Sequence, residues 1–361
     1  MNHLKIWFAK KGTHPLGGIV NEFRLIEQSM SYQKRGEKLI LLTDFSSNGD
    51  RDVQYVTSFC NKYGISLITS DSIKEELVNG SWKDKKIQLK LFEMAMLELT
   101  HPAGHPVIAS DIFRLLSPVL KLGAYSDLDK KINYGPEQAS TSSLPDLVLN
   151  LSLDMMVAPI EIEYLNTDFI YAKNTEHSFL VDHRKTIYTN YLSVDYTANI
   201  TLNYIVTIFG KAVALEDTAI NDYRQFTQNY FAAKPARTAN NVLDFRQALK
   251  EAFPQHFEQY FYFYVVAISG PGAFLETLKS QVLRRIKEIA GFSVAKTPIC
   301  LVNEASKGAS DLSWMEVGHG QLRDQADKIT QATQTLQRFW HRHKKKPAEV
   351  ETSSCAPCGI P

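Results

Sequence analysis

Cysteine is scarce in this chain of 361 residues, with four in all. Cys60 and Cys300 lie far apart inside apolar patterns, which suits buried thiols in a reducing compartment better than a disulfide framework. Long apolar runs are missing as well. None approaches the roughly 20 residues of a spanning helix, and the opening Met-Asn-His-Leu-Lys-Ile-Trp-Phe-Ala-Lys-Lys returns to charge too soon for the apolar core of a secretory leader. A soluble, cytoplasmic protein is expected. Neither sign of charge is in excess: 40 Lys and Arg against 39 Asp and Glu leave a net +1, which argues against nucleic acid as a partner. There is no Cys/His metal spacing, Walker loop, Gly-x-Ser-x-Gly elbow or internal repeat. Chemistry must therefore come from local groupings of charge.

The first 70 residues alternate in period. Leu4–Ala9, Lys38–Thr43 and Ile65–Thr69 have strand character, and Gly17–Tyr32 and Val53–Tyr63 carry helix-spaced apolar residues. Such alternation predicts an α/β fold, Rossmann-like, with a parallel sheet that binds its ligand at the carboxyl ends of the strands. Lys86–Leu99 and Val107–Leu122 are expected helices, the second stopped by Gly123. A Ser/Thr/Pro/Gly-rich loop covers Gly135–Pro145, and strands are expected within Met156–Ala172, Tyr262–Ile268 and Pro298–Val302. Residues 179–261 read as a helical, aromatic-rich subdomain inserted between two parts of the core, 1–178 and 262–318. A terminal helix at 319–341 and a disordered tail at 342–361 complete the expected organisation.

One stretch concentrates charge in an apolar setting: VIASDIFRLLSPVLKLGAYSDLD, Val107 to Asp129. Asp111 and Arg114 are three apart, hence neighbours on one helical face, while Ile112, Leu115, Leu116 and Val119 take the opposite side. A buried aspartate or arginine is rare unless paired or bound to a ligand, so a structural ion pair and a ligand-binding pair both stand open. Asp127 and Asp129 follow a strand-like Ala124-Tyr125-Ser126, and in an extended chain they point to the same side. Two adjacent carboxylates repel, and a hard cation, Mn²⁺ or Mg²⁺, relieves that cost while sharing its remaining positions with phosphate oxygens. Asp50-Arg-Asp52 has the same spacing, but at a helix start, where capping explains it.

SDIFRLL…LGAYSDLD resembles the segment shared by metal-dependent retaining sugar transferases of the GT-A fold, among them the large clostridial glucosylating toxins and the DXD-containing mannosyltransferases. LKIWF at Leu4–Phe8 is similar to their first strand, LILLTDF at Leu39–Phe45 to their second, ISGPGAF at Ile268–Phe274 to a late Gly-Pro turn, and DLSW at Asp311–Trp314 to their closing motif. The resemblance implies that Trp7 stacks on the nucleobase, that Asp111 and Arg114 hold the donor sugar with Arg114 near the diphosphate, that Asp127 contacts ribose and sugar, and that Asp129 binds the metal. Asp127 shares that metal shell, and Asp311, Ser313 or Asn303 supplies a further contact to metal or donor, with Trp314 closing over it. Gly123-Ala124 stands where the family has Gly-Gly.

The resemblance thus implies a hexosyltransferase that takes a UDP- or GDP-sugar and passes the sugar to a protein or glycan acceptor, in the manner of a toxin-like bacterial effector delivered into host cells. Two alternatives share the residues: a sugar-nucleotide-binding protein without turnover, and a nucleotidyl or phosphoryl transferase. Asn166, Asp168 and His177 are candidate acceptor contacts, whereas Glu161 and Glu163 alternate as a solvated strand face would. The basic run before Pro347 predicts weak attraction to acidic lipid. Cys358 stands fourth from the end, with Cys355 as a second thiol, but the following Gly and final Pro fit a prenylation signal poorly.

Overall fold

The computed structural model describes residues 1–10, 12–46, 48–132, 146–150, 168–193, 217–233, 238–255 and 299–302, together with 257, 261, 264, 265, 268–270, 272–274, 276–278, 280 and 281. All lie in a compact unit, Met1–Trp314; a second unit, Met315–Pro361, falls wholly outside the described residues, as do Asp311, Ser313, Trp314, Asn303, Glu161, Glu163, Asn166, Cys355 and Cys358. Among the described residues no helix is long and apolar enough to cross a membrane.

The chain opens β1 (Asn2–Ile6), α1 (Ile19–Gln33), β2 (Lys38–Thr43), α2 (Asp50–Tyr63), β3 (Ser66–Thr69), the alternation its periodicity predicts. Helices α3 (Ser70–Asn79), α4 (Lys85–Thr100), α5 (Pro106–Phe113) and α6 (Ser117–Leu122) then carry the chain back across the sheet to β4 (Ala124–Ser126). Strands β5 (Leu147–Asn150), β6 (Phe169–Ala172) and β7 (Ile299–Val302) finish the sheet, and α7 (Ser178–Leu192), α8 (Asp217–Ala233) and α9 (Ala239–Ala252) lie between the last two in sequence. The fold is α/β, and the described strands form a mixed seven-stranded sheet in the order β3-β2-β1-β4-β6-β5-β7. β3, β2, β1 and β4 run parallel, and β6 is antiparallel to both its neighbours.

Strand β1 is central and buried on both faces. Leu4, Ile6 and Phe8 enter the larger core cluster with α3 to α7 and α9, while Trp7 packs in a second cluster with Leu25 and Tyr32 of α1 and Val56 of α2. Phe179, Leu180, Ile187, Tyr191, Tyr223, Val242 and Phe245 of the helical region belong to the larger cluster, so α7, α8 and α9 share the core of the sheet.

Four expectations are corrected. Val107–Leu122 is two helices: Pro118 lacks the N–H that would reach the Arg114 carbonyl, and its ring would clash with that carbonyl, so α5 ends with Arg114 as its cap and α6 restarts at Ser117. Tyr264, Val265 and Ile268 are helical, not strand; helix-spaced aromatic and aliphatic residues here bury one face against the core rather than alternate. Asp50 and Asp52 occupy the first turn of α2 without capping it through their side chains, since Gly49 is the N-cap; they favour the positive end of the helix dipole instead. Finally, Asp127–Asp129 is not extended. It is a turn closed by the Lys130 N–H donating to the Asp127 carbonyl at 3.0 Å.

Candidate functional site

In strand order, β2 and β3 lie to one side of β1 and β4 to the other, so the chain reverses its direction of travel between β1 and β4. In parallel α/β sheets, ligands bind at such a switch point, in the crevice outside the carboxyl ends of the two strands. Trp7 follows β1, and the Asp127–Asp129 turn follows β4. Gly123 makes their adjacency possible: a Cβ there would stand 2.4 Å from the Asn2 carbonyl oxygen, so only glycine lets β4 start flush against β1.

The broken helix supplies the next two groups. Arg114 Nη2 pairs with Asp111 Oδ1, and Nη1 stands 3.8 Å from Asp127 Oδ1. The guanidinium lies 5.4 Å from the centre of the Tyr125 ring, whose hydroxyl donates to Asp127 Oδ1 at 2.5 Å. Ser269 donates to Asp111 Oδ2 at 2.8 Å. Asp111, Arg114, Tyr125 and Asp127 therefore form one connected group, buried at the Asp111 end and 41% exposed at the Asp127 side chain. Burial pushes the Asp111 carboxyl up to about 6 against the opposing pull of Arg114.

Lys5 was not foreseen. On β1 it shares a face with His3 and Trp7, and its ammonium lies beneath the acidic turn, donating to Ser126 Oγ at 2.6 Å, the Asp127 carbonyl at 2.7 Å and the Lys130 carbonyl at 2.5 Å. All three of its protons are used on the turn, which explains why the backbone curls there instead of running on as a strand. Burial pulls its ammonium down to about 7, opposed by Asp127, Asp129 and Asp168. The sequence signal was a lysine at period two between Leu4 and Ile6 in a strand flanked by others. Asp129 is raised by burial and next by the charge of Asp127, with Lys130 and Arg24 opposing.

Trp7 is half-buried against Gly17 and Asn21, and its indole N–H finds no acceptor among the described residues. That nitrogen is itself buried, so a ligand entering the crevice from that side would meet the half-buried ring rather than the donor. Asp168 is buried, with Lys130 Nζ at 3.8 Å from its carboxylate, and its carbonyl accepts from the Asp127 N–H at 2.9 Å. His177 caps α7, its Nδ1 accepting from the Phe179 N–H at 3.2 Å.

Among the described residues no group of three His, Cys, Asp or Glu side chains could hold a metal. Asp127 and Asp129 offer two carboxylates, a donor set that suits a hard divalent cation which completes its shell with water and a ligand's phosphate oxygens. Their mutual repulsion is what such an ion would relieve.

No family model matches the chain, and none of the curated proteins matches it. Two solved structures, described as a transferase and as a mutant of a transferase, are similar to it at TM-scores of 0.32 and 0.33 and 12% and 13% identity. Each covers 52% of this chain, and the alignments span 78% and 77% of theirs. Likeness of that degree carries no weight for activity.

Proposed function

We propose that this chain is a metal-dependent retaining glycosyltransferase of the GT-A type that moves a hexose from a UDP- or GDP-sugar to a protein or glycan acceptor. The observation that carries the reading is the connected group at the β1/β4 crevice, in which a buried carboxylate, a buried guanidinium and a partly exposed carboxylate lead outward in sequence. That order matches the parts of a sugar nucleotide. Asp111 accepts hydrogen bonds from sugar hydroxyls, Arg114 faces the diphosphate with a rigid fork of donors, and Trp7 offers its ring to the base.

Transfer breaks the bond between the sugar's C1 and the diphosphate oxygen, which keeps the electron pair, while an acceptor hydroxyl oxygen bonds to C1 and gives up its proton to the departing diphosphate. Negative charge grows on the departing diphosphate, and Arg114, fixed by Asp111, is aimed at it before the reaction starts. Asp127 and Asp129 would hold Mn²⁺ or Mg²⁺, with Asp311 as the further candidate, and the ion supplies Lewis-acid stabilisation of the same leaving group. Retention of configuration is the outcome that the resemblance implies.

Donor hydrolysis tests the reading. Purified protein with Mn²⁺ and a panel of UDP- and GDP-sugars is expected to release free sugar and nucleoside diphosphate, and chelation of the metal is expected to stop it. No release from any donor, or equal release by the Asp127→Asn, Asp129→Asn double variant, overturns it. Release of pyrophosphate or inorganic phosphate instead marks a nucleotidyl or phosphoryl transferase.

A further inference from the structure

The Asp111–Arg114 pair is touched by a distant segment through Ser269, 158 residues beyond Asp111 in sequence. Residues Val265 and Ile268 end a helical stretch, and the N–H groups of Ser269 and Gly270 both return to the Val265 carbonyl, at 3.1 and 3.0 Å. The next helical turn starts as the Phe274 N–H donates to the Gly270 carbonyl at 3.3 Å. Ser269 thus stands at a junction between two helical runs, fully buried. The segment is moored to α7: Thr277 Oγ1 lies 3.0 Å from His183 Nδ1, Phe274 meets the same imidazole edge-on at 4.0 Å, and Asn190 donates to Glu276 at 3.3 Å. With that mooring, the Ser269 hydroxyl has a fixed position against Asp111.

We propose that Ser269 is a positioning residue for donor-sugar recognition: its hydroxyl holds Asp111 Oδ2 while Arg114 holds Oδ1, which locks the carboxylate plane and directs its remaining lone pairs at the hydroxyls of the bound sugar. This deepens the transferase reading and rests on it. A carboxylate held on one oxygen alone can swing about its terminal torsion, which is broad and soft; held on both, it presents its acceptors without paying for ordering when the sugar arrives. The hydroxyl has a second effect. Asp111 faces Arg114 at the end of α5, Tyr125 on β4, Asp127 beyond it and Ser269, with His183 of α7 near Arg114 and held neutral by burial. Of these, Arg114 and Ser269 favour the charged carboxylate, and burial and Asp127 oppose it.

The test is donor hydrolysis by Ser269→Ala and Ser269→Thr beside calorimetric binding of the nucleoside diphosphate alone. Ser269→Ala is expected to lower kcat/KM for the sugar donor roughly ten- to hundredfold, the worth of one hydrogen bond to a charged group. Its affinity for the bare nucleoside diphosphate stays at the wild-type value, and its acid limb of activity moves to higher pH. Ser269→Thr keeps the hydroxyl and restores most of the rate. Thr277→Val, which removes the hydroxyl that moors the same segment to His183, lowers the melting temperature and gives a weaker form of the same split between sugar donor and bare diphosphate. Wild-type kcat/KM and pH profile in Ser269→Ala, or a parallel loss of diphosphate affinity, overturns the proposal while leaving the transferase reading standing. Wild-type protein that releases sugar from no donor overturns both.

Discussion

Among the described residues three buried arginines meet three carboxylates, and they end differently. Arg184 forks onto Asp84 at 2.7 and 3.0 Å and spends its third nitrogen on the carbonyls of Leu115 and Thr175. Arg246 forks onto Glu98 at 2.7 and 2.9 Å and adds the Ala103 carbonyl, while Tyr191 and the His105 N–H fill the remaining sites on Glu98. Both networks terminate on protein backbone, with the Arg246 Nε alone in them lacking an acceptor among the described residues. The Arg114–Asp111 pair instead leads to Asp127, whose side chain is 41% exposed. The closed pairs fasten the breaks around α5: Arg184 satisfies the Leu115 carbonyl that the helix break releases, and Glu98 holds the His105 N–H just before the helix begins. The open pair sits on the element so fastened. On the proposed function, buried charge serves two tasks here, and what distinguishes them is where the network terminates.

The largest effect should come from cutting a closed network. Glu98→Ala leaves Arg246 buried without its carboxylate, and breaking a buried pair on one side costs about 3–5 kcal/mol. Urea titration should show that loss in full, or the variant should fail to accumulate as folded protein. A midpoint within error of wild type would mean that the closed network contributes nothing to stability, and the comparison would break.

The open pair should respond in rate more than in stability. Arg114→Lys keeps the charge but loses the planar fork, and donor hydrolysis is expected to fall by roughly 10²-fold, the usual loss on removing an oriented donor from a developing charge. Its urea midpoint should move far less than that of Glu98→Ala. A stability loss as large as the Glu98→Ala loss, with hydrolysis per folded molecule retained, would reassign the open pair to structure.

Acid should separate the two regions as well. His105 caps α5 as a neutral acceptor toward the Val107 N–H, and burial holds its pKa down at about 3. A depressed histidine contributes stability that is complete above its unfolded pKa of about 6.5 and is lost as pH falls toward 3. Asp111 is raised to about 6, so its share runs the other way, complete below the unfolded carboxylate pKa of about 4 and lost as pH rises through 6. Activity that needs ionised Asp111 falls below pH 6. His105→Asn, which keeps a good capping residue, should flatten the acid slope of the melting temperature and leave the acid limb of hydrolysis in place. If both slopes move together, the regions are not separable by pH.

What the sequence made legible follows the range of each interaction. The β-α-β-α-β start and the Asp111–Arg114 adjacency are local patterns, spaced two, three or four residues, and they could be read directly. Asp84–Arg184 and Glu98–Arg246 join residues 100 and 148 apart, and nothing in either neighbourhood marks the partner. The turn at Asp127–Asp129 was misjudged as extended because its shape comes from Lys5, 122 residues upstream of Asp127. Ser269 escaped notice for the same reason: its Gly-Pro setting was visible, its contact to Asp111 was not. Lys5 could have been found, since a lysine between two core residues of a central strand must point at acceptors.

The smallest expected effect differs in sign from the first. In a closed network each charge stabilises its neighbours, so removing one exposes the other. In the acidic turn the burial of Asp129 and the nearby charge of Asp127 both disfavour the ionised form. Asp129→Asn removes that repulsion at a side chain that is only partly buried, and its melting temperature in metal-free buffer should equal or slightly exceed that of wild type. Such a trade, function held at the expense of stability, is what the proposed metal-binding role of the pair entails. A clear fall in melting temperature would show that Asp129 is bonded into the fold as Glu98 is, and the acidic turn would then belong with the closed networks.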